Sequence, residues 1–535
     1  MSWEDNPLGE LIAERSLADV EQTYLQSAND ERRLSFRGLK RAVEQWAMQF
    51  EELGLARGST VAIAIADPIE FSGAFLAIVA SGRWAAPLDP NCAAHGSAGL
   101  ASAVSRVDAE FVVSDRPMPE GFATTCIESL DESTLFLSFV SRRAGQARFK
   151  GDVADVTWRA GWKERLDGGV VLMSSGTTGA PKVIRLDQYQ LLYTARHVAE
   201  HHRLSANDRG FSPLPLFHIN AEVVGLLATL VAGSSLVLDG RFHRTNFWKH
   251  MGDHHVTWIN AVPAIIARLA ELEPDEIVPP GIRFIRSASA PLGVETMARF
   301  EAHTGIRILE TYGMTEAGSQ ITANPLEGTR KAGSVGLPVG TELRIVPEAW
   351  PEDGSPGEER TDMGGHVEIR GPSVIRAYGD ELHGDRLDDD GWLRTGDLGH
   401  IDEDGYLFLD GRVDDVINRG GEKVFPRQIE EAILLDPGVA AVTVVGQDDP
   451  VFGQVPVAFL VLHGIGGPSD RGLARHVVAR IRRNLDTALP RAKRPVALHV
   501  VLQLPVGATG KVQRRALREH DMLVIYYVGT SAATT

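Results

Sequence analysis

Residues 168–202 read GGVVLMSSGTTGAPKVIRLDQYQLLYTARHVAEHH. A short β-branched run breaks into a glycine-rich turn, and a helical pattern resumes at QYQLLYTARHVAEHH, so the segment carries a strand, a turn and a helix. The same alternation recurs on both sides. Upstream, FRGLKRAVEQWAMQFEELG sets Leu39, Val43, Trp46, Phe50 and Leu53 near helical spacing, with Gly54 as a stop. STVAIAIAD follows as a buried strand and EFSGAFLAIVASG as a helix. Downstream, the stretch from Val256-Thr257-Trp258 through RFIRSAS to RILETYG repeats strand, helix and strand. The alternation starts near residue 34 and predicts α/β layering, in which parallel strands are joined by crossover helices.

The texture changes near Arg412. Before it, GHVEIRGPSVIRAYGD and GHIDEDGYLFLDGR have the look of short antiparallel strands with Asp-Gly turns. After it, PRQIEEAILLD (helix), AAVTVVGQ and VPVAFLVL (strands), LARHVVARIRRNLDTAL (helix) and RPVALHVVLQ (strand) make a domain-sized α+β set. A boundary is expected at 412–415, giving domains 1–411 and 416–535.

With 535 residues, 43% hydrophobic and 23% charged, the chain is too long for one small fold and too apolar for disorder. Two cysteines, Cys92 and Cys126, cannot build a disulfide framework and lack zinc-site spacing, which favours a reducing cytosol. The net charge of −17 argues against a nucleic-acid partner. Yet residues 412–535 carry 16 Lys+Arg against 12 Asp+Glu, while the body before them carries 38 against 59. Such a basic tail suits a phosphorylated ligand or is simply a solvated face. The acidic N-terminus lacks the order of a secretory leader. The apolar run 223–238 is too short and glycine-broken to span a bilayer, and the uncharged stretch 450–469 holds Gln454, Pro456 and His463. No membrane partner is expected, and LVIYYVGTSAATT at the end is a docked or frayed tail.

Five segments carry chemistry. In MSSGTTGAPK, residues 173–182, hydroxyls, glycine-exposed amides and Lys182 can wrap phosphate oxygens, although the glycine spacing is not that of a Walker loop and a surface turn remains open. Tyr312-Gly313-Met314-Thr315-Glu316 ends on a carboxylate that suits a hard cation or a helix cap. Asp397, in GWLRTGDLG, can accept from ribose hydroxyls, and Arg412 can add a sugar or phosphate contact. Lys511 lies in a Gly-rich loop, PVGATGKVQRR. The pairs His201-His202 and His254-His255 are expected on helix surfaces, since adjacent residues share no helix face for a metal.

Taken in order, these segments resemble the adenylate-forming superfamily of acyl-CoA synthetases, adenylation domains and luciferases, from about Leu34 to about Leu517. PLFHIN, VTWINAVPAI, RFIRSASAPL, ETYGMTEAGSQITANPL and INRGGEKVFPRQIEE look most like the oxalate-CoA-ligase group. The resemblance implies a large N-terminal domain of layered α/β subdomains with a small β-barrel-like part, and a small mobile C-terminal α+β domain. It implies that Ser174, Ser175, Gly176, Thr177, Thr178, Gly179 and Lys182 hold the phosphates of ATP. Ser289, Ala290, Pro291, Tyr312, Gly313 and Met314 would line the nucleotide, and Asp397 and Arg412 the ribose. Glu316 would bind Mg²⁺, beside Thr315. Lys511 would bridge carboxylate and α-phosphate during adenylation. Asp414 would be the hinge, Gly420 and Gly421 part of the CoA tunnel, and His218 a gate beside the carboxylate.

The implied reaction is ATP-dependent activation of a small carboxylic acid, dicarboxylic or aromatic acids included, through acyl-AMP to a CoA thioester. One site cannot hold both Lys511 and the thiol at the same carbonyl, so a rotating small domain makes physical sense of the arrangement. Alternatives are a carrier-protein thiol as acceptor, nitrite activated against an aromatic amine, and a non-catalytic nucleotide-binding protein, against which Lys511, Glu316 and Asp397 together argue. The acid pocket is expected around His218, Asn220, Asn260 and Ser287. PLFHIN departs from the His-x-His-Gly of oxalate ligases by placing Asn220 and Ala221 there, which leaves the acid open. Asn220 or Asn260 has the alternative of being an ordinary buried amide.

Overall fold

The helix expected after residue 35 forms as Phe36–Glu52. The Ser35 hydroxyl accepts from the Gly38 N–H at 3.1 Å at its start, and Gly54, at φ +76°, closes its end. Phe36, Leu39, Val43, Trp46 and Phe50 form the buried face, while Leu53 is the half-buried cap. This is a computed structural model, and it describes residues 7–18, 22–95, 97–115, 123–128, 134–139, 168–174, 182–271, 276–347, 364–376, 386–506, 512–519 and 524–529. Regular structure begins before residue 34, with the helix Pro7–Ala18 and the strand Thr23–Ser27.

Among the described residues one sheet runs through 13 strands. Six of them are parallel, in the spatial order Thr23–Ser27, Ser235–Leu238, Arg209–Ser212, Trp258–Ala261, Phe284–Ser287 and Arg307–Met314. They are buried nearly throughout, as strands covered on both faces must be. Arg307–Met314 then changes partner type along its own length. Residues 307–310 pair in parallel with Phe284–Ser287, and 311–314 pair antiparallel with Ser319–Ala323. From there the sheet continues antiparallel through Ser334–Pro338, Leu407–Arg412, Leu393–Ile401, Gly365–Arg370 and Glu342–Val346. The barrel-like part expected from the resemblance is therefore a continuation of the main sheet.

A second sheet holds Thr60–Ala64 between Phe111–Ser114 and Trp84–Pro87, with Gly169–Ser174 parallel beyond the latter. Lys182–Asp187 is a strand antiparallel to Gly169–Ser174, with Ser174 opposite Lys182, and the helix Gln188–His201 starts only after it. The glycine-rich turn thus joins two strands of a hairpin, not a strand to a helix. Residues 175–181 lie outside the described residues.

The run 223–238 packs as core: a π-helix, Asn220–Leu227, a short helix, Ala228–Ala232, and the strand Ser235–Leu238. No described helix is long and apolar enough to cross a membrane. From Ile417 onward the chain builds its own core on Ile417, Val424, Ile429, Ile433, Val478 and Ile481. Its sheet contains Gly453–Leu462 flanked by Val439–Asp449 and Ala497–Val501, with the helices Pro426–Leu434 and Arg471–Ala488 packed on it. The C-terminal tail docks as the strand Val524–Gly529, antiparallel to Ala497–Val501.

Candidate active site

The parallel strands place the candidate residues at one edge of the sheet. Ser212, Ala261, Ser287 and Glu310 are level with one another along the register or end their strands there; Ser212 leads into the loop bearing His218, Ser287 into that bearing Ser289, Ala290 and Pro291, and Glu310 into the strand's own continuation through Tyr312. This carboxyl edge is where open α/β sheets bind ligands, because the strand ends diverge and leave a crevice.

Tyr312, Asp397 and Arg412 meet. Arg307–Met314 delivers Tyr312, whose hydroxyl donates to Asp397 Oδ2 at 2.5 Å. Asp397 and Arg412 are cross-strand neighbours on Leu393–Ile401 and Leu407–Arg412, and Arg412 Nε stands 3.6 Å from Asp397 Oδ1. That Nε is buried with no hydrogen-bond partner among the described residues, so a donor is left over for a ligand oxygen. Burial and the Asp397 carboxylate push the Tyr312 phenol well above its ordinary range, keeping it a proton donor. Burial pulls Arg412 down, but Asp397, Tyr312, Asp415 and Asp414 outweigh it and hold the guanidinium above its usual value.

Gly313 is required by close packing. A Cβ there would lie 1.5 Å from the Ser319 carbonyl oxygen, where the pairing with Ser319–Ala323 shifts register. Met314 and Thr315 lead into the 3₁₀ turn Thr315–Ala317, which carries Glu316 at 7% exposure. Its backbone carbonyl accepts from Ile375 N–H at 2.8 Å, fixing the turn. One such carboxylate fits Mg²⁺, which takes one or two carboxylates and completes its shell with substrate phosphates and water. Ser289 sits at φ +73°, a left-handed backbone rare for a serine, at the head of the exposed Ser289-Ala290-Pro291 loop. Glu310, just before this strand's change of partner, is pushed up to about 7 by burial although the Leu292 N–H donates to it at 3.3 Å.

His218 precedes the π-helix, its ring 4.4 Å from that of Phe217, and its carbonyl accepts from Ala221 at 2.9 Å. Asn220 opens that helix and Asn260 lies on the adjacent strand, with Asn260 Nδ2 donating to Asn220 Oδ1 at 3.3 Å. Both amides join a group that sequence reasoning missed. Arg286, 1% exposed, donates to Asn220 at 2.9 Å, to Asn260 at 3.2 Å and to Gln320 at 3.3 Å. The available signal was an arginine inside the apolar run RFIRSAS. The π-helix, rare and often found at functional sites, left no periodic signature.

Other predicted residues stand elsewhere. Gly420 and Gly421, at φ +61° and +94°, form the two-residue turn between Ile417–Arg419 and Glu422–Val424 in the small domain's sheet. Asp414 lies in the turn Val413–Asp415, 3.9 Å from Arg386. Lys182 is exposed, and Lys511 and the residues Ser175, Gly176, Thr177, Thr178 and Gly179 lie outside the described residues. Of the histidine pairs, His202 corrects the surface expectation. It is 0% exposed, set edge-on to Phe284 and Trp258, and burial lowers its imidazole well below its usual range.

The profile of the family described as AMP-binding enzyme matches residues 13–379, and that of the AMP-binding enzyme C-terminal domain matches residues 428–511. A sulfoacetate–CoA ligase from Cupriavidus necator is 40% identical over 66% of this chain and 67% of its own length. An oxalate–CoA ligase from Arabidopsis thaliana is 32% identical over 88% of this chain and 90% of its own. Among solved structures, the o-succinylbenzoate CoA synthetase of Bacillus subtilis in complex with its acyl-adenylate intermediate superposes with a TM-score of 0.72. It is 25% identical and covers 96% of this chain and 98% of that one. With the large domain, the small domain and the Tyr312–Asp397–Arg412 group all in place, the chain belongs to the AMP-binding enzyme family.

Proposed function

We infer that the protein is an AMP-forming acid–thiol ligase, converting a small carboxylic acid and ATP to an acyl-AMP and then passing the acyl group to CoA. The observation that carries this reading is the Tyr312–Asp397–Arg412 group, in which a buried phenol holds a half-buried carboxylate beside a half-buried guanidinium. A carboxylate fixed by a phenol and flanked by a guanidinium accepts from two vicinal hydroxyls, while Arg412 Nε donates.

In this reading Ser289, Ala290, Pro291, Gly313 and Met314 wall the nucleotide, and residues 174–182 hold its phosphates. Glu316 with Thr315 holds Mg²⁺, which offsets phosphate charge when bound. His218 gates the acid. Lys511 bridges the attacking carboxylate oxygen and the α-phosphate, so that negative charge developing at phosphorus meets a fixed cation. The carboxylate oxygen bonds to the α-phosphorus, pyrophosphate leaves, and the CoA sulfur then displaces AMP from the acyl carbon. The domains 1–411 and 416–535 turn about 412–415 at Asp414, withdrawing Lys511 and presenting Gly420 and Gly421 to pantetheine. The location is the cytoplasm.

The test is pyrophosphate release with ATP and Mg²⁺ across oxalate, malonate, sulfoacetate, short fatty acids, benzoates, cinnamates and nitrite, each with and without CoA. Acid-dependent release followed by a CoA thioester is expected. Release with nitrite alone, or an acyl-AMP that CoA does not discharge but a carrier-protein thiol does, overturns it.

A further inference from the structure

Arg286 is a buried cation with no ion-pair partner among the described residues. Its guanidinium donates to the amide oxygens of Asn220, Asn260 and Gln320, and no carboxylate of the described residues lies within ion-pair distance of it. Burial lowers it to about 9, which leaves it protonated at neutral pH. Taking an unbalanced charge out of water is costly, and neutral acceptors satisfy the N–H groups without cancelling the charge.

The amides around it point to what supplies the balance. A guanidinium only donates, so Asn220 and Gln320 must turn their oxygens toward Arg286. Their own N–H₂ groups, Asn220 Nδ2 and Gln320 Nε2, are thereby left buried with no partner among the described residues, as is the Oγ of Ser287, the residue that follows Arg286. Asn220 and Gln320 are 8% and 2% exposed, so water does not satisfy these donors freely. The result is a set of unpaired donors backed by a positive charge, among the residues expected to line the acid pocket.

The activated carboxylate is a poor match for this group. It loses its charge on becoming a mixed anhydride, and a fixed cation would favour the free acid over the acyl-AMP. An anionic group that takes no part in the chemistry keeps its charge through both half-reactions. We propose that Asn220 and Gln320, balanced by Arg286 behind them, bind a second small anionic group of the acid, a carboxylate or a sulfonate, and so make Arg286 the residue that selects doubly charged short acids.

This rests on the ligase reading, and the experiment separates the two. Pyrophosphate release is measured for oxalate, malonate and sulfoacetate against acetate, glycolate and propionate, in the wild type, Arg286→Met and Arg286→Lys, with circular dichroism to verify folding. The wild type is expected to favour the doubly charged acids by about 100-fold in kcat/KM. Arg286→Met should narrow that ratio to within about tenfold, chiefly through KM for the acid, with KM for ATP unchanged, and Arg286→Lys should restore much of it. The ranking of malonate against sulfoacetate tells carboxylate from sulfonate. A wild type indifferent to the second charge, or a folded Arg286→Met that keeps the preference, overturns the inference alone. If Arg286→Met does not fold, the wild-type series decides. Release with no acid at all overturns the ligase reading and this inference with it.

Discussion

Tyr312 donates to Asp397 across 2.5 Å, joining the central strand Arg307–Met314 to Leu393–Ile401, a strand that lies four places further along the sheet. The phenol thereby fixes one carboxylate oxygen and leaves the other facing Arg412. Tyr312→Phe removes that restraint, and the expected result is a rise in KM for ATP of roughly tenfold, the worth of one bond to a charged group. Asp397→Asn should cost more. Unchanged nucleotide affinity in both variants, measured by calorimetry with AMP, would count against a ribose role.

Lys511→Ala is expected to slow adenylation by on the order of 10²- to 10³-fold, the usual effect of removing a charge-stabilising donor. Thiolation of pre-made acyl-AMP should be spared. Equal loss in both half-reactions, followed by single-turnover quench, would sink the two-conformation account.

Asp414→Pro fixes φ near −65° in the turn Val413–Asp415 and should slow exchange between the two states, so that overall turnover falls further than either half-reaction alone. Asp414→Ala leaves the backbone free to turn and removes an exposed charge that stands 3.9 Å from Arg386, so its effect on the exchange should be smaller than that of Asp414→Pro. If Asp414→Pro leaves turnover and both half-reactions unchanged, the pivot lies elsewhere.

Glu310 is 3% exposed, and burial raises it from 4.5 to about 7, with Leu292, Arg427 and Glu431 as smaller influences. The folded protein therefore holds this proton more tightly than the unfolded chain. Its contribution is fully present below about pH 4.5 and is lost as pH rises through about 7. Glu310→Gln should match the wild type near pH 4.5 and exceed it at pH 8 by up to roughly 3 kcal/mol. Denaturant midpoints across this window provide the check, and a constant difference between the two proteins would refute the assignment.

Local order was legible because it is written in periodicity. The apolar face of Phe36–Glu52 and the β-branched strands Thr60–Ala64 and Gly169–Ser174 need only neighbouring residues to be read. Tyr312, Asp397 and Arg412 were legible as members of motifs, although nothing local says that they touch. What depends on distant pairing was not. Leu25 lies beside Leu236, and Ser174 faces Lys182 in a hairpin whose turn carried a stronger signal than its second strand. Arg286 escaped notice because a run with Phe284, Ile285 and Ser287 has the pattern of any buried strand. His202 did likewise, since its burial comes from Trp258 and Phe284 across the sheet.

The pairing of Leu25 with Leu236 also sets a timetable for synthesis. The strand Thr23–Ser27 leaves the ribosome some two hundred residues before its parallel partner Ser235–Leu238. At about 5–20 residues per second that is a wait of roughly 10–40 s. Throughout it an apolar strand, with Tyr24 and Leu25 destined for full burial, has only the short antiparallel strand Arg33–Ser35 beside it. That strand consequently needs shelter while the chain grows, and holdase chaperones are expected to engage residues 23–27 until the sheet's far strands arrive.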